Sequence, residues 1–229
     1  MPPSTESLAI LAHRALLAGS DPPAENRVSA IRRAVRLGFG VEFDVRADPE
    51  GRLFLSHDPA EWEEDRDLGA FLADPGAGPH ALNVKDLATV DAMLAAIDRA
   101  DARDRLFLFD FELAGGGRDA CRQLMREVTD RGFAVAHRLS EREPFLDVLL
   151  ASPPAAAWLD EFERPWVQSR HIAALTAAGV ATYYVSPELH RPTGVDDLRR
   201  RWDEVIAYGV TGICTDYPIA LREHAGGTA

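Results

Sequence analysis

Short apolar runs alternate with amphipathic windows along the whole chain, and few folds accommodate that rhythm. A parallel strand needs a crossover to return the chain to the same end of the sheet, and a helix is the usual one, so the alternation reads as a parallel sheet with helices packed outside it. The apolar runs predict strands over 8–12, 40–46, 80–84, 105–111, 133–137, 156–160, 181–186 and 211–214. Eight is the number at which such a sheet closes into a barrel. The intervening windows predict a first helix with Val28, Ile31 and Val35 on its inner side, Asn26 as its cap and Gly38 as its stop. Further helices are expected over 88–100, 116–131, 144–151, 166–178, 195–208 and 218–224. With 229 residues and 46% hydrophobic content, the chain can bury one sizeable core, so the expectation is an α/β protein with a single (β/α)8 barrel domain over 1–229.

Composition removes several function classes. A net charge of −12 argues against nucleic acid or an anionic membrane as partner, since both call for clustered Lys and Arg. Two cysteines, Cys121 and Cys214, give neither a disulfide framework nor metal-type spacing. The N-terminal stretch lacks a basic start, and no run approaches the roughly 18 apolar residues of a membrane span, so the cytoplasm is the expected compartment. Residues 60–79, rich in charge, Pro and Gly, are expected to replace the compact helix after strand two with a lid, a homo-oligomer contact or a solvated loop. The tail "AGGTA" is expected to be disordered.

Chemistry concentrates near the first two strands. In Val41-Glu42-Phe43-Asp44-Val45 alternate residues point to one face, which puts the two carboxylates on one side about 6.5–7 Å apart. Two hard oxygen donors on one rigid strand suit Mg²⁺ or Ca²⁺. The same alternation also describes the wet face of a half-solvated strand, but buried neighbours at Val41, Phe43 and Val45 would leave the carboxylates wanting a cation or a proton. His13-Arg14 and Ser56-His57-Asp58 bracket this pair, adding imidazoles able to trade protons near neutral pH.

These segments, "AHR", "PAENRVSAIRRAVRLGFGVEFDVR", "GRLFLSHDP" and, far downstream, "GVTGICTDYP", resemble the glycerophosphodiester phosphodiesterase family in kind and order over nearly the entire chain. The resemblance implies a TIM barrel and cation-dependent cleavage of a phosphodiester. It further implies His13 and His57 as acid and base, Glu42 and Asp44 as metal ligands, and Arg14 and Lys85 as phosphate contacts. The chain departs from the family pattern at Ala15, where glycine is usual, and at Arg27, where threonine is usual. It departs again at Asn83, which in "ALNVKDL" stands where the third acidic ligand belongs. Asparagine is a neutral oxygen donor and a weaker one, so Asp110 is the preferred substitute, with pairing to Lys85 as its alternative role.

Catalytic groups of such a barrel gather at the C-terminal ends of its strands. On strand four, phenylalanines packed outward would leave Leu106 and Leu108 to fill the barrel and bring Asp110 and Glu112 to its mouth. His137-Arg138, Asp160 to Glu163 and Ser186 to His190 end the next three strands and are candidates for recognising the leaving group. Glu188 and His190, two apart, would share a face of an extended segment, as a binding pair or as a surface hydrogen bond. Asp216 is expected to order the barrel end through backbone N–H contacts, and His80, His171 and His224 to lie away from the site. The expected substrate is a small soluble diester, glycerol-, polyol- or nucleotide-linked. A cyclic-phosphate-forming lyase and a phosphate-binding protein without turnover are the alternatives.

Overall fold

The computed structural model describes residues 8–115, 117–143 and 146–226; the readings of the N-terminal start and of residues 227–229 lie outside them, as do positions 116, 144 and 145 of two expected helices. Eight parallel strands close into a barrel: β1 (Ala9–Ala12), β2 (Gly40–Ala47), β4 (His80–Val84), β5 (Leu106–Phe109), β6 (Ala134–Leu139), β7 (Ala156–Leu159), β8 (Ala181–Val185) and β9 (Gly212–Thr215). Each pairs with the next around the ring, and β9 and β2 both pair with β1 to close it. The short β3 (Leu53–Leu55) folds back antiparallel on β2. Outside lie α1 (Val28–Arg36), α2 (Leu68–Leu72), α3 (Val90–Arg99), α4 (Arg118–Asp130), α5 (Leu146–Ala151), α6 (Ser169–Ala177), α7 (Val195–Tyr208) and α8 (Pro218–Gly226).

Pairing is uneven around the ring. β1 meets β2 through two residue pairs, Leu11 with Gly40 and Ala12 with Val41, and β5 meets β6 through two, Phe107 with Ala134 and Leu108 with Val135. The apolar layer between strands and helices falls into two clusters, the first of which runs across the β5–β6 seam to Phe133 and Val135. One cluster holds Ile31, Phe43, Phe71, Leu94 and Met125; the other holds Leu149, Leu175, Trp202, Ile213 and Leu221.

A third cluster fills the lumen and corrects the expected direction of strand four. Phe107 and Phe109 point inward with Trp158 and Tyr183, while Leu106 and Leu108 face the helices. The Phe109 and Trp158 rings stand 4.2 Å apart and Phe107 stacks on Tyr183 at 4.6 Å. Small residues opposite, among them Ala81, Ala136 and Cys214, make room for these rings. Gly212 is part of that fit, since a Cβ there would come within 2.9 Å of the Tyr183 ring and 2.8 Å of the Ala9 carbonyl.

Three local expectations also change. The 60–79 segment contains α2, whose Leu68, Phe71 and Leu72 are buried; Phe71 meets Phe43 and His80 edge-on, so this helix covers the barrel flank. Asp67 caps it by accepting from the Ala70 N–H. Asn26 does not cap α1, a position taken by Arg27, because its amide is committed elsewhere. At the far end Ala225 and Gly226 belong to α8.

Candidate active site at the barrel mouth

His13 ends β1 in a tight turn where Arg14 and Ala15 both take positive φ, 49° and 64°. That turn swings the Arg14 N–H onto Glu42 Oε2, 3.1 Å away, and leaves the His13 ring between two acids. Its Nδ1 lies 2.7 Å from Asp216 Oδ1, and its Nε2 lies 3.9 Å from Glu42 Oε2. Burial opposes charge on this ring, but the hydrogen bond to Asp216 and the charges of Glu42 and Asp216 outweigh it, so its pKa stands above the ordinary imidazole value. A carboxylate that fixes one ring nitrogen leaves the other to move protons.

Glu42 and Asp44 share the inward face of β2 and are 2% and 1% exposed, but their surroundings differ. Asp44 accepts from Asn26 Nδ2 at 2.8 Å and pairs with Lys85 Nζ at 2.9 Å and Arg14 Nε at 3.6 Å. Burial alone would raise its pKa; Lys85, Arg14 and Asn26 together bring it below the ordinary value. Glu42 is compensated less well: burial and the Asp44 charge outweigh His13, Lys85 and the Arg14 N–H and push it up to about 7. One carboxylate is neutralised by cations, and the other still calls for a proton or a metal.

The position expected for a third acidic ligand carries an amide, Asn83. Asn83 gives its Nδ2 to Asp110 Oδ2 at 2.9 Å, which fixes the sense of the amide and leaves its Oδ1 buried without a partner. Asp110 lies beside it but spends both oxygens on N–H donors, Oδ2 on Asn83 and Oδ1 on Arg138. Among the described residues no cluster of three or more His, Cys, Asp or Glu side chains is set to hold a metal. Glu42, Asp44 and the Asn83 oxygen are nevertheless the hard donors a Mg²⁺- or Ca²⁺-type ion takes, and the orphaned oxygen and the raised Glu42 pKa both fit a cation here.

This gives a measurable expectation for the metal-free protein. Glu42 titrates near 4.5 unfolded and about 7 folded, so between those values the folded state holds the extra proton and stability falls as pH rises. Glu42→Gln removes that penalty, and above pH 7, in chelator, it should melt higher than the parent by roughly 2–4 °C per kcal/mol recovered. A divalent cation should raise the parent's melting temperature more than the variant's. A variant less stable than the parent at pH 8 in chelator would contradict this account of the pair.

The opposite wall carries a second polar chain. The Arg138 guanidinium bonds Asp110 through Nε at 3.0 Å and also through Nη2, and its Nη1 lies 2.6 Å from Asp160 Oδ2. Asp160 Oδ1 lies 2.6 Å from His190 Nε2. Asp110 adopts φ 68°, a left-handed turn directly after β5. Among the described residues, four of the five non-glycine residues with positive φ, namely Arg14, Ala15, Asn26 and Asp110, belong to this mouth or abut it, and strain of that kind concentrates where function holds it in place.

Other expected site residues fall as follows. Lys85 pairs with Asp44; Asp110 takes Arg138 as its ion-pair partner in place of Lys85. His57 follows β3 on a loop tied to β2 by the Ser56 N–H on the Asp44 carbonyl, and Arg46 holds its own carbonyl. Its ring bonds Asp58, which is 86% exposed. Glu188 and His190 do not share a face, because Pro187–Leu189 is a 3-10 turn: Glu188 turns to Thr215 and the Asp216 N–H, His190 to Asp160. Glu161 faces outward into a buried bond set with Arg201 and Tyr184. His80 lies away from the mouth, but it is fully buried between the Val41 N–H and the Pro75 carbonyl.

Two groups carry more than the sequence reading assigned them. Asp216 ties the barrel end through its backbone, whose N–H bonds Glu188 and whose carbonyl accepts from Gly19, and also holds His13 through its side chain; its inward parity with Gly212 and Cys214 was the available signal for the latter. Asn26 clamps Asp44 from both sides, donating to Oδ2 and accepting the Asp44 N–H at 3.0 Å.

No protein-family model and no curated protein matches the sequence significantly. Solved structures do share the fold. A glycerophosphodiester phosphodiesterase from Agrobacterium tumefaciens is 18% identical, with a TM-score of 0.62 over 93% of this chain and 98% of that one. A glycerophosphoryl diester phosphodiesterase from Parabacteroides distasonis is 15% identical, with a TM-score of 0.68 over 96% and 87%. An Oleispira antarctica phosphodiesterase, in complex with the product sn-glycerol-3-phosphate, is 13% identical, with a TM-score of 0.66 over 95% and 96%. At such identities the likeness establishes the barrel architecture over nearly the whole chain.

Proposed function

We propose that this chain is a phosphodiester hydrolase that acts, with a divalent cation, on a small soluble diester of the glycerophosphodiester kind. The observation that carries this reading is the His13–Asp216 couple set against Glu42 at the mouth, with Arg14 and Lys85 flanking the carboxylate pair. The activity and the product named for the fold's solved neighbours support the same chemistry.

Each group then has a task. Glu42, Asp44 and Asn83 Oδ1 would hold the cation, with Asp110 beside them orienting the Asn83 amide. Bound there, a divalent cation supplies Lewis-acid polarisation of a phosphoryl oxygen. Arg14 and Lys85, with side chains 22% and 17% exposed, are within reach of solvent and can take up charge that grows on the phosphate. His13 removes the proton of the attacking water through Nε2, and His57 is the sequence's candidate for the complementary transfer. Glu188 and His190, across the mouth, lie on the leaving-group side.

The partner is a small molecule; the chain's charge of −12 disfavours nucleic acid and anionic membranes. Among the described residues no helix is long and apolar enough to cross a membrane. Cys121 and Cys214 are buried free thiols, which suits a cytoplasmic setting.

The test is hydrolysis across glycerol-, sugar- and nucleotide-linked diesters, in EDTA and then with Mg²⁺, Mn²⁺ or Ca²⁺. Turnover restored by metal is the expected result, and phosphorus NMR of the first product separates direct hydrolysis from a cyclic phosphate. No turnover of any diester with any of the metals would sink the proposal.

A further inference from the structure

Diester hydrolysis moves two protons, one off the attacking water and one onto the departing oxygen. Resting on the phosphodiesterase reading of this same mouth, we propose that His190, oriented by Asp160, rather than His57, delivers the second proton.

An acid catalyst has to be aimed, and His190 is aimed by buried groups. Its Nε2 lies 2.6 Å from Asp160 Oδ1; Asp160 is 1% exposed and its other oxygen faces Arg138 Nη1. The His190 ring rests against Phe162, with centroids 4.4 Å apart. Its backbone is set by the Pro187–Leu189 turn, closed by the Leu189 N–H on Ser186 and the His190 N–H on Pro187. Leu189 packs against the lumen cluster and anchors that turn over the mouth.

The same turn ties the two histidines together. Glu188 accepts from the Thr215 hydroxyl and the Asp216 N–H, and Asp216 holds His13. The mouth therefore carries two His–Asp couples in one connected frame, each fixing one ring nitrogen and leaving the other for substrate. His13 keeps Nε2 free and His190 keeps Nδ1. The His190 side chain is 21% exposed, so Nδ1 can be approached from solvent. His57 has no comparable aim, because a carboxylate as exposed as Asp58 shares its bonds with water and holds a partner weakly.

The step balances. The water oxygen bonds phosphorus while its proton passes to His13 Nε2. The P–O bond to the alcohol breaks with its electron pair on oxygen, and that oxygen takes the proton from His190 Nδ1. Exchange with solvent then resets both rings.

Leaving groups distinguish this role from a structural one, since an alkoxide needs the proton and a nitrophenolate does not. The parent, His190→Gln, His190→Ala and His57→Ala are compared on a glycerophospho-alkyl diester and on bis(p-nitrophenyl) phosphate with the restoring metal. The His190 variants should lose about 10²–10⁴-fold in kcat on the alkyl diester and less than about tenfold on the nitrophenyl one; His57→Ala should change both by one factor. Glutamine keeps a donor toward Asp160, so its loss cannot be assigned to a collapsed wall. Equal losses on both substrates, or the leaving-group pattern appearing in His57→Ala, overturns the assignment and leaves the phosphodiesterase reading standing. A parent inert on both diesters removes the reading and the assignment together.

Discussion

Replacing His13 by alanine should lower turnover of any diester this protein cleaves by about 10²–10⁴-fold, with a melting temperature within a few degrees of the parent. Among the described residues, the His13 ring alone bonds the Asp216 carboxylate on one nitrogen and faces Glu42 with the other, so no neighbour stands ready to replace it. Asp216 is 16% exposed and can turn to water when the ring is gone, which keeps the cost to folding small. Asp216→Asn should cost nearly as much, by freeing the ring to adopt the wrong tautomer. Because the two act as a unit, the double variant should be scarcely slower than His13→Ala. Steady-state kinetics on the four proteins checks this; losses that multiply would show that Asp216 acts on its own.

The largest expected effect on stability belongs to Arg138→Leu. This guanidinium is 5% exposed and lies between Asp110 and Asp160, at 5% and 1%. Removing one partner from a buried ion pair typically costs about 3–5 kcal/mol, because the remaining charge is left without compensation. For a chain of this size that is a drop of roughly 6–20 °C in Tm. The deficit should depend on pH in a definite sense. Burial already raises the Asp110 pKa even with Arg138 in place, and a group so shifted contributes stability below its unfolded pKa that is lost as pH rises. Without the guanidinium the shift grows, so parent and variant should differ most at pH 7–8 and converge toward pH 5. Urea denaturation at both pH values measures it, and a variant as stable as the parent at pH 7 would refute the account.

What the sequence made legible followed from periods too stiff to misread. The two-residue repeat of a strand put Glu42 and Asp44 on one face, and the structure keeps them there with Val41, Phe43 and Val45 fully buried behind. The boundaries of β4, 80 to 84, coincide with the expectation. Strand four failed for a physical reason: in a parallel barrel both faces of a strand are apolar, so Leu-Phe-Leu-Phe carries no sense of direction. Asp110 still arrived at the mouth, because its left-handed backbone resets the phase after β5. The Asp216 bond to His13 spans 203 residues, and only closure of the ring brings those ends together. Glu188 and His190 diverged because a 3-10 turn, unlike an extended segment, points neighbours two apart in different directions.

The ring has two thinly paired seams, β1–β2 and β5–β6, each held by two residue pairs. Both seams are crossed at the mouth by charged groups: Arg14 reaches from β1 to Glu42 and Asp44 on β2, and Arg138 reaches from β6 to Asp110 beyond β5. These charged groups therefore also clasp the strands on either side of each seam. Under the proposed function, a substrate phosphate that draws Arg14 away from Asp44 would loosen the β1–β2 seam, so that occupancy of the mouth and tightness of the ring would be coupled through the same few atoms.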